Sequence, residues 1–301
     1  MSTMSKDRGG NAQVTRHVVR LGRGAPLQVA CVDPFPNPGS VFVVAMGFGA
    51  CLEPFELWRF AGVAATLSAR LLVVETPGCG YTPARLLGRE RVALLRGDFR
   101  PLAARMLAAA VAVDRDSGHQ RAMGVLGYSM GASLAAAMAA GASGGPQVID
   151  AVVLVEPVAN RRWSPQALVA AKRAEARLVG EYLTANQNLP GAVAPPAHTP
   201  GAALPHQDRL GMLLSGNALR GGRMSADVSV AARGRAGLPV VIARGDTSLL
   251  SEAAACAHMA SDLRATGADV HEVVVNGQHG LWQSLPAAGA LCELVAAALR
   301  H

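Results

Sequence analysis

The residues with the most chemical promise stand together in Gly127-Tyr128-Ser129-Met130-Gly131. A serine hydroxyl is a poor nucleophile at neutral pH. It becomes a good one beside a base, an acid that orients the base, and donors for an oxyanion. The spacing supplies a geometry for this. A Ser between two glycines at a strand-to-helix junction sits at the apex of a tight turn, with strand and helix closely apposed around it. The context fits: MGVLG before the turn reads as an apolar strand, and ASLAAAMAA after it is a strong helix former. The competing reading is an ordinary glycine-rich turn, which this context disfavours.

The elements that must position Ser129 follow from the pattern on either side. Residues 1–13 form a polar tail. Residues 14–21 and 26–32 read as a strand pair around Gly22–Gly24. Val41–Met46, Leu71–Val74, Met123–Gly127, Ile149–Val155, Pro239–Ala243 and Val273–Val275 complete eight strands. Helical spacing covers 54–69, 100–113, 130–141, 251–266 and 285–300. Apolar strands alternating with helices predict an α/β fold, with a mostly parallel eight-stranded sheet flanked by helices.

The segment 160–237 interrupts the alternation. It opens with a helix-like stretch, 164–183, rich in Ala and charge. Asn186–Gln207 then holds five prolines and no Asp, Glu, Lys or Arg. Because the sheet pattern resumes beyond it, one core is expected from 14–159 and 238–301, with 160–237 inserted as a helical and Pro-rich cap. The uncharged loop suits a cover over an apolar acyl site and a plain surface loop equally well.

Composition narrows the partners. Half of the 301 residues are hydrophobic and 16% are charged, enough for a large core. The net charge of +7 comes almost wholly from scattered Arg, with Lys only at Lys6 and Lys172. There is no dense basic run with interleaved aromatics, so nucleic acid is not expected as a partner. Arg85, Arg89, Arg91, Arg96 and Arg100 form the nearest approach to a charge run, read as a solvated helix face rather than an anion handle. Five cysteines without a CxxC pair predict buried thiols, no zinc site and a reducing, cytoplasmic setting. No leader-like or membrane-spanning apolar run occurs. No phosphate loop, dinucleotide fingerprint or metal motif is present, so no cofactor or metal is expected.

The chain resembles the α/β-hydrolase fold family along residues 14–300. The resemblance rests on ordered landmarks: MGFGA after one strand, ETPGCGYT after the next, GYSMG, LVEP, a cap-like insertion, RGDTSLL and finally NGQHGLW. It implies a chain order of Ser, acid, His. His279, in the loop after the last strand, is then the base that takes and returns the Ser129 proton. The acid is expected at Asp246, although the family tends to carry it a few residues after Gly245, near Ser248. Glu156, after the preceding strand, is the alternative that some members use. The oxyanion hole is expected from the backbone N–H groups of Met130 and Phe48. Met46 stands where the family often has a His, which leaves the backbone donor intact.

The function so implied is hydrolysis of a carboxylic ester or thioester through an acyl-Ser129 intermediate, on a small-molecule acyl substrate. Two alternatives stay open: a biosynthetic acyltransferase or lactone-forming or cyclising enzyme on the same fold, and a non-catalytic binding homologue. The sequence leaves the oligomeric state open, a homo-oligomer included.

Overall fold

Strands that are apolar on both faces need cover on both sides. The computed structural model, which describes residues 3–5, 12–22, 24–82, 84–115, 122–145, 147–186, 188 and 206–300, supplies that cover with helices. The strands are Thr3–Ser5 (β1), Gln13–Val19 (β2), Leu27–Asp33 (β3), Ser40–Ala45 (β4), Arg70–Val74 (β5), Cys79–Gly80 (β6), Ala122–Tyr128 (β7), Ile149–Val155 (β8), His206–Gln207 (β9), Pro239–Gly245 (β10) and Asp269–Val275 (β11). The helices are Pro54–Leu67 (α1), Gly88–Leu95 (α2), Arg100–Arg115 (α3), Met130–Ala142 (α4), Pro165–Asn186 (α5), Arg209–Leu219 (α6), Met224–Gly234 (α7), Ala253–Ala265 (α8) and Leu285–Ala298 (α9).

The main sheet runs β1-β2-β3-β5-β4-β7-β8-β10-β11. Pairings from β5 through β11 are parallel, and those among β1, β2, β3 and β5 are antiparallel. The eight expected strands are all present. A ninth, Thr3–Ser5, lies within the expected tail and pairs with β2. Strand pairing uses backbone groups that any sequence carries, so this polar segment gave no hydrophobic signal. Residues 1–2 and 6–11 lie outside the described residues.

Side chains of β4 alternate between two cores. Val41, Val43 and Ala45 face α3, α4, α7 and α8, while Phe42 and Val44 face α1 and α9. Small side chains let α4 press onto the sheet: Ala132, Ala135, Ala136, Ala137 and Ala139 are all buried. The chain leaves β4 towards β5 on one side and returns to β7 on the other. The C-terminal edge between β4 and β7 is therefore a topological switch point, where open α/β sheets bind ligands. Ala45 pairs with Gly127 there, two residues before Ser129.

The expected cap divides. Met224, Val228, Ala231 and Ala232 of α7 are buried in the core beside α4. A parallel β8-to-β10 connection needs such a crossover helix. Helices α5 and α6 lie over the switch point and are described below. Most of the proline-rich loop (187 and 189–205, with His198) lies outside the described residues. Among the described residues, no helix is long and apolar enough to cross a membrane. All five cysteines are buried and free of disulfides.

Candidate active site

Ser129 joins β7 to α4 with φ 57° and ψ −117°, a backbone conformation that L-residues rarely adopt. The flanking glycines make the turn sterically feasible. A Cβ on Gly127 would overlap the Gly131 carbonyl, and a Cβ on Gly131 would overlap the Ala45 carbonyl. The Ser129 side chain makes no helix-capping bond. Its Oγ instead lies 2.9 Å from His279 Nε2.

His279 follows β11 at the start of a short 3-10 turn, His279–Gln283. Its Nδ1 lies 3.0 Å from Glu156 Oε2. An ionised carboxylate only accepts, so Nδ1 carries the proton and Nε2 is left to accept from Ser129. The peptide of His279 is held at both ends. Its N–H donates to Glu175 Oε1 at 2.6 Å, and its carbonyl accepts from Tyr128 Oη at 2.7 Å. Burial, with the Glu156 charge adding to it, pushes the Tyr128 phenol far above its usual range, so it stays a donor. The Tyr128 ring stacks between those of His279 and Trp282, each 5.5 Å away.

Glu156 is completely buried just past β8 and also has a positive φ of 51°. Its Oε1 accepts from Gly245 N at 2.5 Å, and its Oε2 accepts from Ser248 Oγ at 2.6 Å. Asp246, the expected acid, is elsewhere: its carboxylate accepts from Gly277 N at 2.9 Å, tying the two loops together. The structure thus brings Ser129, His279 and Glu156 into one hydrogen-bonded line and leaves Asp246 outside it. Ser248, where the family tends to carry its acid, contributes a hydroxyl to Glu156 instead.

The Gly47–Ala50 turn, closed by Ala50 N on Gly47 O at 3.2 Å, passes beside Ser129. A Cβ on Gly47 would lie 3.6 Å from that of Ser129. Phe48 lines the same cavity as Ser129. Met130 opens α4, so its N–H has no carbonyl within the helix to bond.

The cavity above Ser129 measures about 580 Å³. Its floor includes Met46, Phe48, Phe60, Leu126 and Trp282, and its roof comes from α5 and α6 through Leu168, Val179 and Leu219. Four charged side chains also line it, none of them anticipated from sequence: Glu56, Arg59, Lys172 and Glu175. Arg59 Nη1 bonds both carboxylate oxygens of Glu56, at 2.8 and 2.7 Å. Desolvation raises the Glu56 carboxyl above its usual value against the pull of Arg59. Lys172 sits 5.2 Å over the Phe48 ring.

The arginine run, His258, His271, Trp58 and Trp163 lie away from this cavity. None of the five arginines from Arg85 to Arg100 lines the cavity, and Arg100 pairs with Asp227 of α7 at 2.7 Å. His258 and His271 face Asp262 and Asp269. Trp163 donates to Val158 O at 2.8 Å, and Trp58 lines a separate cavity. No group of three or more potential metal ligands occurs among the described residues.

A family described as alpha/beta hydrolase fold matches residues 41–182. No curated protein sequence matches the chain. Among solved structures, a thioesterase domain from the curacin biosynthetic pathway is similar at 16% identity and TM-score 0.54, covering 94% of this chain and 98% of its own. A fungal esterase from Rhizomucor miehei is similar at 15% identity and TM-score 0.63, covering 98% and 84%. A thermostable esterase from Pseudomonas putida ECU1011 is similar at 16% identity and TM-score 0.59, covering 97% and 83%. At these identities the likeness speaks to fold. Together with the strand order and the strained serine turn between its glycines, it shows that the chain has the α/β-hydrolase fold.

Proposed function

We propose that the chain is a serine hydrolase that cleaves a carboxylic ester or thioester, with Ser129 as nucleophile, His279 as base and Glu156 as the orienting acid. The observation that carries this reading is the unbroken line from Ser129 Oγ through His279 to Glu156, at 2.9 and 3.0 Å. In the acylation step His279 Nε2 takes the Ser129 proton as Oγ bonds the carbonyl carbon. The oxyanion is held by the Met130 and Phe48 N–H groups. His279 then protonates the departing alcohol or thiol, leaving an acyl-Ser129 ester. Water, deprotonated by the same nitrogen, releases the acid and restores Ser129. Glu156 steadies the imidazolium in both steps. The mostly apolar cavity above Ser129 suits the acyl chain.

The test is a fluorophosphonate probe together with a panel of p-nitrophenyl esters and acyl thioesters, on wild type and Ser129→Ala. The expected result is labelling at Ser129 and turnover lost in the variant. Turnover that survives Ser129→Ala, with no label on the folded protein, overturns the reading. Acyl transfer or cyclisation is a second reading, favoured by the roof that α5 and α6 form over the cavity, which limits water. Adding an alcohol or amine acceptor separates the two by product. The non-catalytic reading drew its support from the uncertain acid, and Glu156 at 3.0 Å from His279 weakens that support.

A further inference from the structure

Helix α5 is a roof with very little buried in it. Of its described side chains, the only fully buried one is Glu175, at 2% exposure. A carboxylate is a costly anchor for an otherwise exposed helix unless its partners repay the lost hydration. Those partners are three backbone donors. Oε1 accepts from His279 N at 2.6 Å, and Oε2 accepts from Leu249 N at 2.6 Å and Leu250 N at 3.3 Å. These three N–H groups satisfy both oxygens of the carboxylate.

The three donors lie on two loops. One carries His279. The other carries Ser248, whose hydroxyl bonds Glu156. Glu175 therefore fixes the base loop relative to the loop that supports the acid, and does so from the roof. Two neighbouring contacts run the same way. Gln278 Nε2 donates to Leu178 O at 2.5 Å, and the missing side chain of Gly280 makes room for Val179.

We propose that Glu175 is a positioning residue that couples the roof helix to His279, so that the base is in working register only while α5 is seated. The inference rests on the serine-hydrolase reading. A buried carboxylate with three donors gives a two-state latch. If α5 lifts, the carboxylate and its three donors pass to water together, and the His279 N–H loses its side-chain partner. The pocket roof and the proton shuttle then open as one unit.

The test compares wild type, Glu175→Gln and Arg177→Ala, the last an exposed site on α5 that touches no loop donor. Gln keeps the shape but turns an NH2 towards a backbone N–H. The expected result is a fall of about 10- to 100-fold in the fluorophosphonate rate constant and in kcat for Glu175→Gln, with KM within about twofold. Arg177→Ala keeps the wild-type rate. Unchanged rates in folded Glu175→Gln overturn the inference, as does a defect confined to KM, which would make Glu175 a pocket-shaping residue only. Amide hydrogen exchange on wild type covers the case where the variant does not fold. The His279, Leu249 and Leu250 amides are expected to exchange with one common protection, shared with the middle of α5. Independent exchange of the three overturns the coupling. A wild type that never labels at Ser129 defeats the hydrolase reading itself, whereas equal labelling in wild type and Glu175→Gln defeats this inference alone.

Discussion

Ser248 donates its hydroxyl to Glu156 over 2.6 Å, on the same carboxylate oxygen that faces His279 Nδ1. That shared oxygen distinguishes the two acidic candidates. Glu156→Gln is expected to lower the fluorophosphonate rate by about 10³- to 10⁴-fold, because an amide NH2 facing Nδ1 favours the wrong imidazole tautomer. Asp246→Asn is expected to change it by less than about tenfold, since that side chain serves the Gly277 amide. Reversed sensitivities would return the acid to Asp246.

The serine turn makes opposite demands on neighbouring residues. Gly127→Ala and Gly131→Ala each drive a methyl into a backbone carbonyl that has little room to move. Each is expected to cost about 3 kcal/mol or more in urea unfolding. Ser129→Gly should do the reverse, raising stability by about 1 kcal/mol as the strained φ is relieved, while activity disappears. A Ser129→Gly variant no more stable than wild type would mean that the turn stores no strain.

Arg59 and Glu56 are a charged pair in a mostly apolar wall, with the Arg59 side chain 3% and the Glu56 side chain 20% exposed. Arg59→Met strands a carboxyl that burial already penalises. The expected loss is about 3 kcal/mol in denaturant unfolding. Arg59→Met with Glu56→Gln should recover most of it, because no charge is then left behind. If the double variant is as unstable as the single one, the guanidinium contributes through packing instead, including its stacking 4.8 Å over Phe55.

The thiols set an alkaline limit. Burial is the first cause that lifts Cys31, Cys51 and Cys292 to about 12, against an ordinary 9.0. Between those values the unfolded chain has released protons that the folded chain still holds. Stability contributed by these groups is complete below about 9 and is lost as pH rises towards 12. Urea midpoints measured from pH 8 to 11 should fall, and Cys292→Ala should flatten part of that slope. The five thiols should also resist alkylation at pH 8 until the protein unfolds. Rapid alkylation of the folded chain would contradict their burial.

That Ser129 and His279 would face one another was legible in the sequence, because a steric requirement marks one and chain order marks the other. The parallel core was legible because its strands are apolar without interruption. Which carboxylate stands against His279 was left open between Asp246 and Glu156, because it depends on the lateral order β8-β10-β11, and a string of residues does not record lateral order. Glu175 was hidden for another reason. On a helix rich in Ala and charge, one more Glu looks like solvated surface until a loop distant in sequence is folded against it. Helix α7 escaped notice because in sequence it follows directly on the roof helices and so was grouped with the insertion. The proposed oxyanion donors, Phe48 and Met130, would act through backbone, so their side-chain identities carry little information.

Glu156 and His279 leave strands that are not neighbours, since β10 runs between β8 and β11. Strands lie about 4.8 Å apart, so acid and base start roughly two spacings from each other. The bridging side chain must therefore be long, and the strand it crosses must be bare at its end, which Gly245 is. An aspartate at position 156 would stop about 1.5 Å short of the imidazole. Carrying the acid one strand further from the base thus sets a minimum side-chain length, which glutamate meets and aspartate does not.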